Sequence, residues 1–239
     1  MSTRYDCTDP AEREAGIAAA VEAVRGGGLV VLPTDTVYGI GGDAFTPRAV
    51  AMLLAAKGRG RNVPPPVLVG NVRAAAALVD GLGSFGQDLI DEFWPGALTL
   101  VFRVAPTLQW DLGDTKGTVA VRMPLHPVTL EVLKQAGPMA VSSANLHGEQ
   151  AATTAAEAER QLGASVAVYL DGGPCHSDVP STILDLTGTI PKLLRAGAIP
   201  VDRLRKVSAI IDEPGYVEPG EFEPPAEDPE PAEPTEDND

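Results

Sequence analysis

Short apolar runs alternate with longer amphipathic segments along this chain. Leu29-Val30-Val31-Leu32 has no polar break, the pattern of a strand buried on both faces, and Pro33 stops it. Further strands are expected over residues 66–69, 98–104, 118–122, 139–141, 166–170 and 182–186. A first helix is predicted from Pro10 to about Arg25, with Asp9 as its cap, Glu12 completing a capping box and Gly26-Gly27-Gly28 ending it. Thr46-Pro47 opens a second helix that closes near Lys57. Others are expected over 72–79, 85–93, 128–135 (with His126 as cap before Pro127) and 155–162.

Each strand in this reading is followed by a helix, and no internal repeat is visible. The pattern predicts one three-layer α/β domain with a twisted, mixed and largely buried sheet over residues 8–207. Ligands of such folds gather where loops leave the strand ends, which directs attention to residues 33–45, 57–66, 142–148 and 194–199.

Composition sharpens this picture at one place. The 239 residues hold 18 Lys+Arg against 33 Asp+Glu, a net charge of −15 that excludes a basic nucleic-acid coat. Twelve of those acids, with no Lys or Arg and 7 of the 22 prolines, fall in residues 212–239. That segment is expected to be a disordered acidic tail, a solubilising appendage. The remaining 21 acids against 18 bases leave residues 1–211 at a net charge of −3, nearly neutral.

Cys7 and Cys175 are the only cysteines and have no metal-ligand or CxxC spacing, so two free thiols are expected. Cys175-His176 is a poor nucleophile-base pair, because adjacent residues of an extended loop point apart. Residues 1–14 contain no apolar leader core, and nowhere do 18 apolar residues run together. A cytoplasmic protein without membrane contact is expected.

The candidate chemistry lies in the loops. Pro33-Thr34-Asp35-Thr36-Val37-Tyr38 sets hydroxyls, a carboxylate and a phenol directly after a buried strand, although Asp35 alone reads as ordinary turn chemistry. Lys57-Gly58-Arg59-Gly60-Arg61 places three cations at a helix exit, where they can converge on a polyphosphate or simply suit the helix dipole. Ser142-Ser143-Ala144-Asn145, Ser181-Thr182 and Arg195 add donors at other element ends. No GxxxxGK[ST] loop and no catalytic triad is present.

Taken in order, Pro33-Thr34-Asp35-Thr36-Val37-Tyr38-Gly39, Lys57-Gly58-Arg59, Trp94-Pro95-Gly96-Ala97-Leu98-Thr99, Thr118-Val119-Ala120-Val121-Arg122, Ser143-Ala144-Asn145, Ser181-Thr182 and Leu194-Arg195-Ala196-Gly197 resemble the YrdC family of L-threonylcarbamoyladenylate synthases, short single-domain type. The resemblance spans about residues 15–205. It implies that ATP, L-threonine and bicarbonate are joined into threonylcarbamoyl-AMP with release of pyrophosphate, for tRNA modification. By the same resemblance Lys57, Arg59, Ser143 and Asn145 form the catalytic K-x-R and S-x-N set. Arg59, Thr118, Ser143 and Arg195 would contact ATP, and Thr36, Arg122, the Val141 backbone and Ser181 would hold threonine. Mg2+ would be held mainly by the phosphates. The partners implied are proteins that pass the threonylcarbamoyl group to tRNA, with room for a weak tRNA contact.

The sequence departs from the family pattern at Leu68, where a histidine is usual, at Gly60 in place of proline, and at Glu149-Gln150-Ala151. Two other functions fit parts of the same pattern: a non-catalytic RNA-binding module and a related carbamoyl-adenylate-forming enzyme.

Overall fold

Asp9 starts the first helix as its position dictates. In the computed structural model, which describes residues 2–175 and 177–208, its carboxylate accepts from the Ala11 and Glu12 amides at the head of α1 (Pro10–Arg25). The expected capping box does not close, because Glu12 accepts from the Asp6 amide instead. A complete box forms elsewhere, between Thr154 and Glu157 at the start of α6 (Ala155–Leu162). His126 stands at the N-cap of α5 (Pro127–Ala136), but its side chain does not cap the helix and its buried Nδ1 has no partner among the described residues.

The remaining helices are α2 (Pro47–Lys57), α3 (Val72–Leu78), α4 (Gly83–Phe93) and α7 (Val201–Val207). Ten strands form one sheet: β1 (Thr3–Asp6), β2 (Val30–Leu32), β3 (Gly39–Asp43), β4 (Val67–Leu68), β5 (Leu98–Arg103), β6 (Thr118–Arg122), β7 (Met139–Ser143), β8 (Val168–Asp171), β9 (Thr182–Asp185) and β10 (Lys192–Arg195). Their order is β1-β8-β2-β3-β7-β4-β6-β5-β9-β10, with parallel and antiparallel neighbours mixed.

Four elements were not expected. Edge strand β1 pairs in parallel with β8, so the ordered sheet begins before residue 8. Strand β10 and helix α7 lie in a stretch for which only a loop over 194–199 was expected. Strand β3 runs through Gly39-Ile40-Gly41-Gly42, which had read as a turn. Its glycines serve close packing: a Cβ on Gly41 would lie 2.5 Å from both the Ala140 carbonyl oxygen and Val141 Cγ2 of neighbouring β7. The rule of a helix after every strand consequently fails, since β2 joins β3, β5 joins β6 and β9 joins β10 without one.

Period-two alternation divides the core between the two faces. On one face, Ile17, Val21 and Val24 of α1 and Val128 and Val132 of α5 pack on Val30, Leu32, Leu68, Met139 and Val141. On the other, Val31, Ile40, Leu100 and Val121 meet Leu53 of α2, Leu89 and Ile90 of α4 and Ala158 of α6. Each fully buried Val or Leu contributes roughly 1.5–3 kcal/mol. Helices α1 and α5 cover only part of their face. Over β5, β6 and β9 the apolar cluster is Val101, Ala120 and Ile183 with Leu194 against it, and no helical residue joins it. The acidic segment 212–239 lies outside the described residues.

Candidate active site

The face of β6 over which no described helix packs forms the floor. Arg122 lies beside Leu68 and Leu68 beside Met139, so these three share a level and a face of the sheet. Thr118 begins β6 on the same face, four residues from Arg122 and so about 13 Å away. Because β4 runs parallel to β6 and antiparallel to β7, Ser143 stands at the Thr118 end of this floor. Leu98 of β5 pairs with Thr182, and β5 runs antiparallel to β6, so Ser181 stands at the Arg122 end. Val141 is intermediate; its amide bonds to the Pro66 carbonyl.

At the Thr118 end, Lys57 closes α2 and Gly58 turns the chain away with φ 66°. Lys57 is only 1% exposed. Its ammonium donates to the Ser143 carbonyl at 2.6 Å, Ser143 Oγ at 3.3 Å and Asn145 Oδ1 at 2.6 Å, which uses all three of its donors. Burial pushes its pKa down to about 7, and the charge of Arg59 adds to that shift. Lys57 is thus fixed and buried among these acceptors, a placement its position at a helix exit did not show. Arg59, half-buried, reaches His147 Nδ1 at 3.3 Å and Ser142 Oγ at 3.4 Å. The Thr118 hydroxyl donates to Thr115 and edges a small recess with Pro64, Pro65 and Leu112.

At the other end, the buried Arg122 guanidinium donates from Nε to the Gly96 carbonyl, from Nη1 to Thr36 Oγ1 at 2.9 Å and from Nη2 to Asp35 Oδ1 at 2.7 Å. Burial lowers its pKa, and the Asp35 carboxylate opposes the shift. Thr36 is held in turn by Thr34, whose hydroxyl accepts from the Thr36 amide and donates to the Val37 carbonyl. Arg195 grips the Ser181 carbonyl and hydroxyl at 2.8 and 3.1 Å, and Ser181 Oγ lies 2.8 Å from Thr99 Oγ1. Burial, reinforced by the charges of Arg122 and Arg59, pushes Arg195 down to about 10. A Cβ on Gly197 would lie 2.4 Å from the Pro180 carbonyl oxygen, so only glycine allows this close approach to Ser181.

Residues 22–197 match the Sua5/YciO/YrdC family, described as telomere recombination. The chain belongs to this family. It is 53% identical over 210 residues to a putative threonylcarbamoyl-AMP synthase of Mycobacterium tuberculosis, covering 88% of this chain and 97% of that relative. It is 36% identical over 193 residues to the threonylcarbamoyl-AMP synthase of Bacillus subtilis, covering 80% of this chain and 56% of the other. The crystal structure of Pyrococcus abyssi Sua5 complexed with L-threonine superposes with a TM-score of 0.81 at 31% identity, covering 89% of this chain and 62% of that one. This chain therefore spans less than two thirds of the longer Bacillus and Pyrococcus proteins.

The family's polar residues thus fall into two clusters. Lys57, Arg59, Ser143, Asn145 and Thr118 lie towards one end of the floor, with Thr36, Arg122, Ser181 and Arg195 at the other. Arg195 is hydrogen-bonded to Ser181, and the charge of Arg59 in the other cluster also bears on it. Four residues that the resemblance gave no site role also take part: Ser142, His147, Thr99 and Asp35. The His147 amide bonds to the Lys57 carbonyl, and its ring accepts from Arg59. Asp35 looked like a local turn former, and instead bridges Arg122 and the Leu125 amide. The Cys175 thiol faces the Thr34 carbonyl, and burial raises its pKa, which makes it a poor nucleophile. His176 lies outside the described residues. Among the described residues, no helix is long and apolar enough to cross a membrane.

Proposed function

We propose that this chain is a threonylcarbamoyl-AMP synthase, joining ATP, L-threonine and bicarbonate with release of pyrophosphate. The observation that carries this reading is the single face of β6, with Thr118 at one end, Arg122 at the other and a cationic cluster beside each. The names of the Mycobacterium and Bacillus relatives and the threonine complex of the Pyrococcus protein support it.

In this reading the threonine carboxylate meets Arg122, with Thr36, Ser181 and the Val141 backbone around the rest of the amino acid. The triphosphate lies towards Arg59 and Ser143, with Thr118 on the nucleoside side and Arg195 reaching the phosphates from the Ser181 end. Lys57 and Asn145 complete the catalytic set. The threonine amine adds to CO2 derived from bicarbonate, giving a carbamate. A carbamate oxygen then attacks the α-phosphorus, the bond to the β-phosphate oxygen breaks, and pyrophosphate leaves. Fixed cations beside the junction stabilise the charge that develops there, and holding the two substrates on one floor supplies the orientation. No side-chain nucleophile is needed.

Among the described residues no group of three His, Cys, Asp or Glu could hold a metal ion. The donors present suit phosphate oxygens, so Mg2+ would enter on the nucleotide with phosphate and water ligands, neutralising phosphate charge. The product would pass to proteins that transfer the threonylcarbamoyl group to tRNA, with at most a weak tRNA contact, in the cytoplasm.

A pyrophosphate-release assay with ATP and bicarbonate, with and without L-threonine, tests this function. Threonine-dependent release is expected. Tight, steeply salt-dependent RNA binding without such release would favour an RNA-binding module. Release that required carbamoyl phosphate and ignored threonine would favour the related carbamoyl-adenylate chemistry.

A further inference from the structure

Asp35 has no substrate role in the reading above, yet it is tied more firmly than an ordinary turn residue. Its side chain is 15% exposed, and the partner Arg122 side chain 8%. Asp35 Oδ1 accepts twice, from Arg122 Nη2 at 2.7 Å and from the Leu125 amide at 2.8 Å. The carboxylate therefore holds both the end of β6 and the loop that follows it. Arg122 has five donors, and the described residues engage three: Nε by Gly96, one on Nη1 by Thr36 and one on Nη2 by Asp35. One N–H remains on each terminal nitrogen, the number a carboxylate can take with its two oxygens.

We propose that Asp35 is a positioning residue for the substrate carboxylate site. It fixes the Arg122 guanidinium with one N–H of each terminal nitrogen available, and acts through Arg122 without touching substrate. This rests on the assignment of threonine to Arg122. Position and charge then act in opposite directions. As an acceptor Asp35 orients Arg122, which favours carboxylate binding; as an anion it offsets the Arg122 charge, which disfavours it. An asparagine keeps the first effect and removes the second, while an alanine removes both and frees the side chain.

The test is calorimetric binding of L-threonine and, separately, of ATP to the unmutated protein, Asp35→Asn and Asp35→Ala, with melting temperatures recorded. Asp35→Asn is expected to bind threonine as tightly as the unmutated protein or more tightly. Asp35→Ala is expected to bind it about tenfold more weakly or worse, with ATP affinity kept within about twofold in both. Equal weakening in both variants would overturn the proposal, since it would show a need for the charge, as in direct contact with the substrate ammonium. Parallel loss of threonine and ATP binding would overturn it by showing a merely structural role. If Asp35→Ala does not fold, Asp35→Asn decides alone, a tenfold rise in Kd for threonine being contrary. Failure of the unmutated protein to bind threonine would instead remove the Arg122 assignment, and the proposal with it.

Discussion

Lys57 Nζ lies 2.6 Å from Asn145 Oδ1, 88 residues further along the chain, and at the same distance from the Ser143 carbonyl. A buried ammonium thus ties the end of α2 to the exit of β7 and sets the orientation of the Ser143 and Asn145 side chains. Lys57→Ala should cost stability as well as activity, since it leaves a part-buried carbonyl and a buried amide oxygen without their donor. An unpaired buried acceptor costs about 1–3 kcal/mol, which urea denaturation would read as a lower midpoint. An unchanged midpoint would show that Lys57 is not a strut.

The same lysine gives the fold a pH dependence of known sign. Its pKa falls from the ordinary 10.5 to about 7 on folding. Between those values the unfolded chain binds more protons than the folded one, so stability rises with pH across that window. Below about pH 7 both states are protonated and burying the charge carries its full cost. The stability difference between the unmutated protein and Lys57→Met, followed from pH 6 to 9, should shift in favour of the unmutated protein as pH rises. Taking the difference cancels other titrating groups such as Cys7, whose pKa burial raises to about 11.

Arg59 should behave differently, because it is half-buried and meets His147 and Ser142 across longer distances. Arg59→Ala is expected to leave the melting temperature nearly unchanged while lowering threonine-dependent pyrophosphate release by about 2–4 kcal/mol of transition-state stabilisation. Near-normal turnover would remove Arg59 from the reacting phosphate.

Gly41→Ala should destabilise the protein, since β7 backbone and Val141 already occupy the space for a Cβ. Overpacking of this kind costs about 1–3 kcal/mol. Gly58→Ala meets no atom within 4 Å and carries only the strain of φ 66°, so its thermal shift should be the smaller of the two.

Deletion of residues 212–239 should leave kcat and KM unchanged, because every residue assigned to the site lies before it. A large loss of rate would give the tail a role in catalysis.

Elements with their own punctuation were legible in the sequence. The Asp9-Pro10 start of α1, the Thr46-Pro47 start of α2 and the apolar run of β2 appear within a residue or so of expectation. Strand β3 was hidden because glycine signals turns locally, whereas here it answers to packing from a strand about 100 residues away. The residues proposed for the site could be named as a set through their resemblance to a family, but their grouping in space could not. That Ser143 belongs with Thr118, and Ser181 with Arg122, follows from strand register, which depends on the directions of β4, β5 and β7. The burial of Lys57 was equally invisible, since nothing within the Lys57-Gly58-Arg59 segment shows that acceptors from β7 will enclose it.

The sheet order also bears on how the protein is made. Strand β1 at the amino end pairs with β8 near residue 170, and β5 pairs with β9 near residue 183. Contacts so distant along the chain close slowly. A growing polypeptide can form α1 and the β2-β3 hairpin early, but it cannot complete the binding floor until β9 and Arg195 have emerged from the ribosome. In the proposed reading substrate binding therefore waits until β9 and β10 have been made, and a chain truncated before β9 would lack the whole Ser181-Arg195 wall.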